Sequence, residues 1–82
     1  MTLRGVRYSV ESKGCKRIRG GRLCIDEVMS KGKVVGVVED FTKGGHKSSR
    51  TCSRKLDTCK KGRDLIWLLE AGGLMGPRRK RP

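Results

Sequence analysis

Two sets of residues in this 82-residue chain could do chemistry: its four cysteines and its many cations. The cysteines stand at positions 15, 24, 52 and 59, as Cys-x8-Cys and Cys-x6-Cys. Four thiolates can hold zinc tetrahedrally, and a small basic domain would gain stability from the metal. Paired ligands in structural zinc sites, however, are usually about two to four residues apart. Neither gap fits. Zinc on Cys15, Cys24, Cys52 and Cys59, or with His46 as a substitute, would need ligands from separate strands, so no cofactor is expected. Two disulfides are the next reading, since an even count in a short chain supports them and allows three connectivities. A reducing compartment argues against them. The expectation is therefore reduced, partly buried cysteines with no chemistry.

Catalysis is not expected either. His46 lies in a glycine-rich stretch with no carboxylate near it in sequence to orient it and no signature tying it to a cysteine. The glycines do not form the Gly-x4-Gly-Lys-Ser/Thr pattern of a phosphate-binding loop. The chain is read as a binding protein rather than an enzyme.

The cations carry the stronger signal. Lys and Arg number 21 against 8 Asp and Glu, a net charge of +13. They fall in three blocks, separated by two slightly acidic, more apolar stretches. Residues 13–22 contain Lys13, Lys16, Arg17, Arg19 and Arg22 and no carboxylate. Residues 42–63 contain Lys43, Lys47, Arg50, Arg54, Lys55, Lys60, Lys61 and Arg63 against the single acid Asp57. The last block is the tail Arg78, Arg79, Lys80 and Arg81 between Pro77 and Pro82. Charge this segregated repels itself unless something negative sits on it, and a lone charge run is otherwise a solvated face. The expected partner is nucleic acid, met through phosphates that arginine forks grip in bidentate fashion. RNA is preferred to duplex DNA because no amphipathic basic helix suited to a major groove is evident. Only Tyr8, Phe41 and Trp67 could stack on bases, so recognition of backbone and shape is expected, within a ribonucleoprotein assembly such as a ribosome and beside its other proteins.

Positioning these residues requires a fold from a lean composition, 34% hydrophobic and 35% charged. A chain of this size makes one small domain with marginal burial. Residues 1–76 are assigned to it, and 77–82 to a basic tail that matches either an import signal, a groove-entering arm or a solvated end. Residues 3–11 alternate, with Val6, Tyr8 and Val10 on one side, as in a half-buried strand. Residues 12–14 read as a turn. Residues 15–26 form a second extended segment broken at Gly20-Gly21 by a hairpin turn or bulge. Residues 26–31 are mixed, one helical turn or a loop. Residues 32–41 centre on Val34, Val35, Val37 and Val38, β-branched side chains that suit a pleated surface covered on both faces, with Gly36 marking a bend or bulge. Residues 50–56 extend along a sheet edge. Residues 64–70, Asp-Leu-Ile-Trp-Leu-Leu-Glu, have the length of a strand but the composition of a helix, with Gly72-Gly73 as a C-cap; strand is the slight preference. Trp67 is assigned to the core rather than to base stacking.

Lys61-Gly62-Arg63-Asp64 followed by Leu65-Ile66-Trp67-Leu68-Leu69-Glu70 resembles the closing strand of small OB-fold ribosomal proteins, over about a fifth of the chain. Residues 32–36 are faintly similar to strands of small SH3-like RNA-binding barrels. Both resemblances imply strands, and no site residue is carried over from either. The expected architecture is thus mainly β, a small Gly-rich barrel or curled antiparallel sheet of OB or SH3-like size, with one short C-terminal helix as the α+β variant.

With no apolar run longer than five residues and no secretory leader, an intracellular protein of cytoplasm or nucleus is expected, with no membrane partner. The rivals are a secreted, disulfide-stabilised basic protein acting on membranes or acidic glycans, and a viral accessory module that binds other proteins.

Overall fold

The computed structural model describes residues 1–74. The described residues form seven strands and one helix: β1 (Thr2–Leu3), β2 (Val6–Arg7), β3 (Ser9–Ile18), β4 (Gly21–Ser30), β5 (Lys33–Lys43), β6 (His46–Ser53), β7 (Thr58–Lys61) and α1 (Leu65–Ala71). β1 and β2 make a small separate hairpin. β3 to β7 make an antiparallel meander in sequence order. The fold is mainly β; among the described residues it is a curled sheet with one short helix and no closed barrel.

The long strands β4 and β5 form the spine. Ten pairings join them, from Gly21↔Lys43 to Ser30↔Lys33, with a register shift where Val28 pairs Gly36 and Met29 pairs Val34. That irregularity leaves Val35 as the extra residue of a bulge, at the place where Gly36 suggested one. The turn at Lys31-Gly32 has positive φ at both residues, 53° and 75°, the geometry of the two-residue turns whose twist matches their strands. Residues 26–31 are therefore mostly strand rather than a helical turn or loop. Asp26 and Glu27 are poor strand formers, but each has a cation: Arg63 lies 3.6 Å from Asp26, and Lys13 3.5 Å from Glu27. Residues 12–14 are likewise an irregularity within β3, between Ser12 and Cys15, rather than a turn.

The helix replaces the slightly preferred strand at 64–70. Asp64 is its N-cap, accepting from the Trp67 N–H at 2.9 Å. At the other end Gly73 takes φ 77°; its N–H donates to the Glu70 carbonyl and that of Leu74 to Leu69, which is the six-to-one and five-to-two pairing of a glycine-terminated helix. Both caps are local, but a third lock is not. Thr51, fully buried on β6, donates to the Gly62 carbonyl at 2.6 Å and accepts from the Asp64 N–H at 3.0 Å, fixing where the chain leaves the sheet.

Leu68 and Leu69 of α1 close over Val28, Val35 and Val38 to form the core, with Leu3, Val6, Tyr8, Val10, Trp67 and Leu74 packed around it. Trp67 thus sits at the core margin. Leu68 contacts the sheet at Gly36, near the start of β5. The end of the strand at Lys43 is seven residues further on, on the order of 20 Å of extended chain. The helix therefore covers one end of the sheet and leaves the other as a two-hairpin projection, consistent with dimensions of 48 × 29 × 21 Å. Among the described residues no helix is long and apolar enough to cross a membrane.

Candidate polyanion interface

The projecting end is built from two adjacent turns. β3 and β4 are joined through Arg19-Gly20, and β5 and β6 through Gly44-Gly45. Gly21 pairs with Lys43, so the turns lie side by side. A side chain at Gly21 would collide with the Thr42 carbonyl, which is how the two hairpins approach so closely. Glycine occupies both positions of the second turn, with φ 56° and 82°.

Six cations gather here: Lys16, Arg17, Arg19 and Arg22 from the first hairpin, Lys43 and Lys47 from the second. All are exposed. Residues 16–22 and 41–48 contain no carboxylate. Among the described residues none of the six forms an ion pair. The nearest acid in sequence and on the same strand is Asp40, which accepts from the Ser49 hydroxyl at 2.7 Å. Antiparallel register sorts the side chains into rows, because directly paired residues share a face. Arg17, Arg22, Thr42 and Lys47 are successive partners across four strands and form one such row. Like charges set opposite one another cost stability, on the order of a few tenths of a kcal/mol per pair in a solvated sheet.

The other expected site residues divide. Arg50 is held by Glu39, with Nε donating to Oε1 at 2.7 Å, and stacks its guanidinium 5.2 Å from the centre of the Phe41 ring. Lys60 binds Asp64 at 2.8 Å and lies 6.0 Å from the Trp67 ring. Arg63 faces Asp26. Each of these three thus meets a carboxylate in the folded chain. Arg54 and Lys55 stand in the β6–β7 turn at the helix-covered end, and Lys61 at the close of the edge strand β7. Residues 42–63 are therefore not one surface. Arg78, Arg79, Lys80 and Arg81 lie outside the described residues. Lys13, which leads the first basic block, is engaged too: its hydrogen bond to Glu11, then the charges of Glu11 and Glu27, hold its pKa above the ordinary lysine value.

The cysteines are neither reduced nor zinc ligands. Cys15 is bonded to Cys24 and Cys52 to Cys59, leaving no free thiol. Each pair is also a direct cross-strand pair, Cys15↔Cys24 between β3 and β4 and Cys52↔Cys59 between β6 and β7. Each pair sits equidistant from its turn, and that symmetry is the signal of pairing that the spacing carries. Among the described residues no group of three His, Cys, Asp or Glu is placed to hold a metal. Thr42 and the Cys15–Cys24 bridge belong to the basic end although neither was expected there. No protein-family model, curated protein or solved structure matches this chain.

Proposed function

We propose that this protein binds a polyanion through its two-hairpin end, the backbone of nucleic acid being the target and RNA the favoured form. One observation carries the reading: six exposed cations from two adjacent hairpins share one end of the molecule without a carboxylate among them. Such an end concentrates positive potential and attracts phosphate chains. It offers backbone contacts rather than base reading. Phe41 is occupied by Arg50, and Trp67 packs beside the core at the far end. A duplex-groove mode is disfavoured because α1 buries Leu68 and Leu69 against the sheet and bears no cation within Leu65–Ala71.

The two disulfides favour a second reading. Such bonds persist in oxidising compartments and argue against the cytoplasm or nucleus. There the same six cations would meet a sulfated or carboxylated glycan.

The test is fluorescence anisotropy with a labelled mixed-sequence RNA oligomer across a salt series, with a sulfated glycosaminoglycan as the parallel ligand. Six phosphate contacts predict a slope of log affinity against log salt of about −4 for a single strand. Binding of the glycan alone would select the second reading. Failure of both ligands at low salt would end the polyanion reading.

A further inference from the structure

The row of cations on the projecting end is not uniform, and its geometry singles out one pair. Cys15 and Cys24 have Cα atoms 4.0 Å apart. That close approach marks a non-hydrogen-bonded pair, the kind of cross-strand position that brings side chains nearest each other. The pattern repeats every second residue. Two residues further on, Arg17 and Arg22 are also direct partners and fall in the same class. The sheet thus starts two arginine side chains from directly opposed positions on one face, with the disulfide as the next pair along that face to fix the register. On the next strand Thr42 is the direct partner of Arg22, so its hydroxyl joins the row. Arg17, Gly21, Arg22, Thr42 and Gly44, with Cys15 and Lys16, line one shallow depression of about 550 Å³. Two of its lining residues are glycines, which leave backbone exposed on its wall.

Resting on the polyanion reading, we propose that Arg17, Arg22 and Thr42 form a discrete oxyanion subsite that takes one phosphodiester group of the bound strand. The two planar guanidinium groups supply parallel N–H donors to the phosphate oxygens, and the Thr42 hydroxyl supplies a further donor. The fork geometry, and not merely the charge, does the binding: a lysine ammonium is a point charge and cannot reproduce two parallel N–H···O bonds. The remaining cations of the end, Lys16, Arg19, Lys43 and Lys47, meet neighbouring phosphates, the lysines as point charges. The bound phosphate also relieves the repulsion between Arg17 and Arg22, so the subsite is completed by its ligand.

The experiment compares Arg22→Lys, Arg17→Lys and Arg54→Lys in binding the labelled RNA oligomer, with the sulfated glycosaminoglycan in a second arm. All three variants keep the net charge. All three positions are exposed, so thermal melting monitors the fold in each. Expected is a loss of about tenfold in RNA affinity for Arg22→Lys and for Arg17→Lys, and less than about twofold for Arg54→Lys, with the salt slope unchanged throughout. Thr42→Val should lose a smaller factor, about threefold. If both tip variants bind RNA like the parent protein, the subsite is overturned and diffuse charge is left as the mechanism. If the loss appears only in the glycan arm, the phosphodiester assignment is overturned in favour of a sulfate group. If the parent protein binds neither ligand, it is the polyanion reading that has failed, a result separate from either of these.

Discussion

A Cβ added at Gly36 would collide with the carbonyl oxygen of Cys52 and lie 2.5 Å from Cδ1 of Leu68. The first neighbour is backbone of the paired strand β6, and the second is the fully buried contact of the helix. The collision therefore tests two layers at once. A flexible side chain could yield, but here the strand pairing and the helix seat would both have to shift. Gly36→Ala should destabilise the protein by about 2–3 kcal/mol through overpacking, outweighing the usual conformational gain of alanine over glycine in a strand. Chemical denaturation would measure it. Gly32→Ala is a useful contrast: its Cβ meets nothing within 4 Å, but φ is 75°, so any loss there reports backbone strain alone. A Gly36→Ala protein as stable as the parent would mean that α1 does not seat on the sheet as described.

At the scale of elements, the two disulfides are equivalent in kind and differ in place. Cys15–Cys24 closes a loop of nine in sequence separation and Cys52–Cys59 one of seven. By the loop-entropy relation each contributes about 2–3 kcal/mol. Only the first lies beneath the cation row, one paired position from Arg17 and Arg22 on the same face. Cys52 pairs with Val37, six residues from the tip of β5. Replacing Cys15 and Cys24 with serine should therefore lower both stability and RNA affinity, the latter about threefold as the arginines lose pre-organisation. The corresponding Cys52 and Cys59 variant should lower stability alone. Equal loss of binding in both would show that the bridges act only through global stability. The same elements show what could be read from sequence. The Val-rich strand, the hairpin near Gly20-Gly21 and the β-rich sheet follow from local pattern, since β-branched runs and glycine turns act within a few residues. The helix was ambiguous because an apolar run of five fits either element. What decides it includes the Thr51 hydroxyl, thirteen residues before Asp64 and visible only once β6 is in place. The disulfides are not legible in the sequence because thiol pairing depends on strand register, and register depends on which residues make the turn. In the candidate site, the abundance of cations was legible. Their division was not, because Arg50, Lys60 and Arg63 find carboxylates only in the folded chain.

At the scale of the molecule, the described residues are polar along their length: a packed, helix-covered end and a cationic, two-hairpin end. The helix-covered end is not short of positive charge, since Lys31, Lys33, Arg54 and Lys55 stand in or beside its turns and all are exposed. It differs in what surrounds them. Leu68, Leu69 and the valines are buried there, and the loops carry Asp57 as well. This allows a test in which net charge is held constant between two variants. Lys16, Arg17, Arg22 and Lys47 would be changed to glutamine in one, and Lys31, Lys33, Arg54 and Lys55 in the other. Each variant loses four cations from the exposed surface. If the field of the entire protein drives association, the two should lose RNA affinity alike and their salt slopes should fall together. If the projecting end is the contact surface, the first should lose about three from the magnitude of the slope, because four phosphate contacts on a single strand disappear. The second should change it by less than about one. Equal slopes would overturn the localisation of the interface even if RNA binding itself stood. A difference confined to the first variant would tie the charge pattern to the two-hairpin architecture, in which the register of β3 through β6 gathers cations that are up to thirty-one residues apart in sequence.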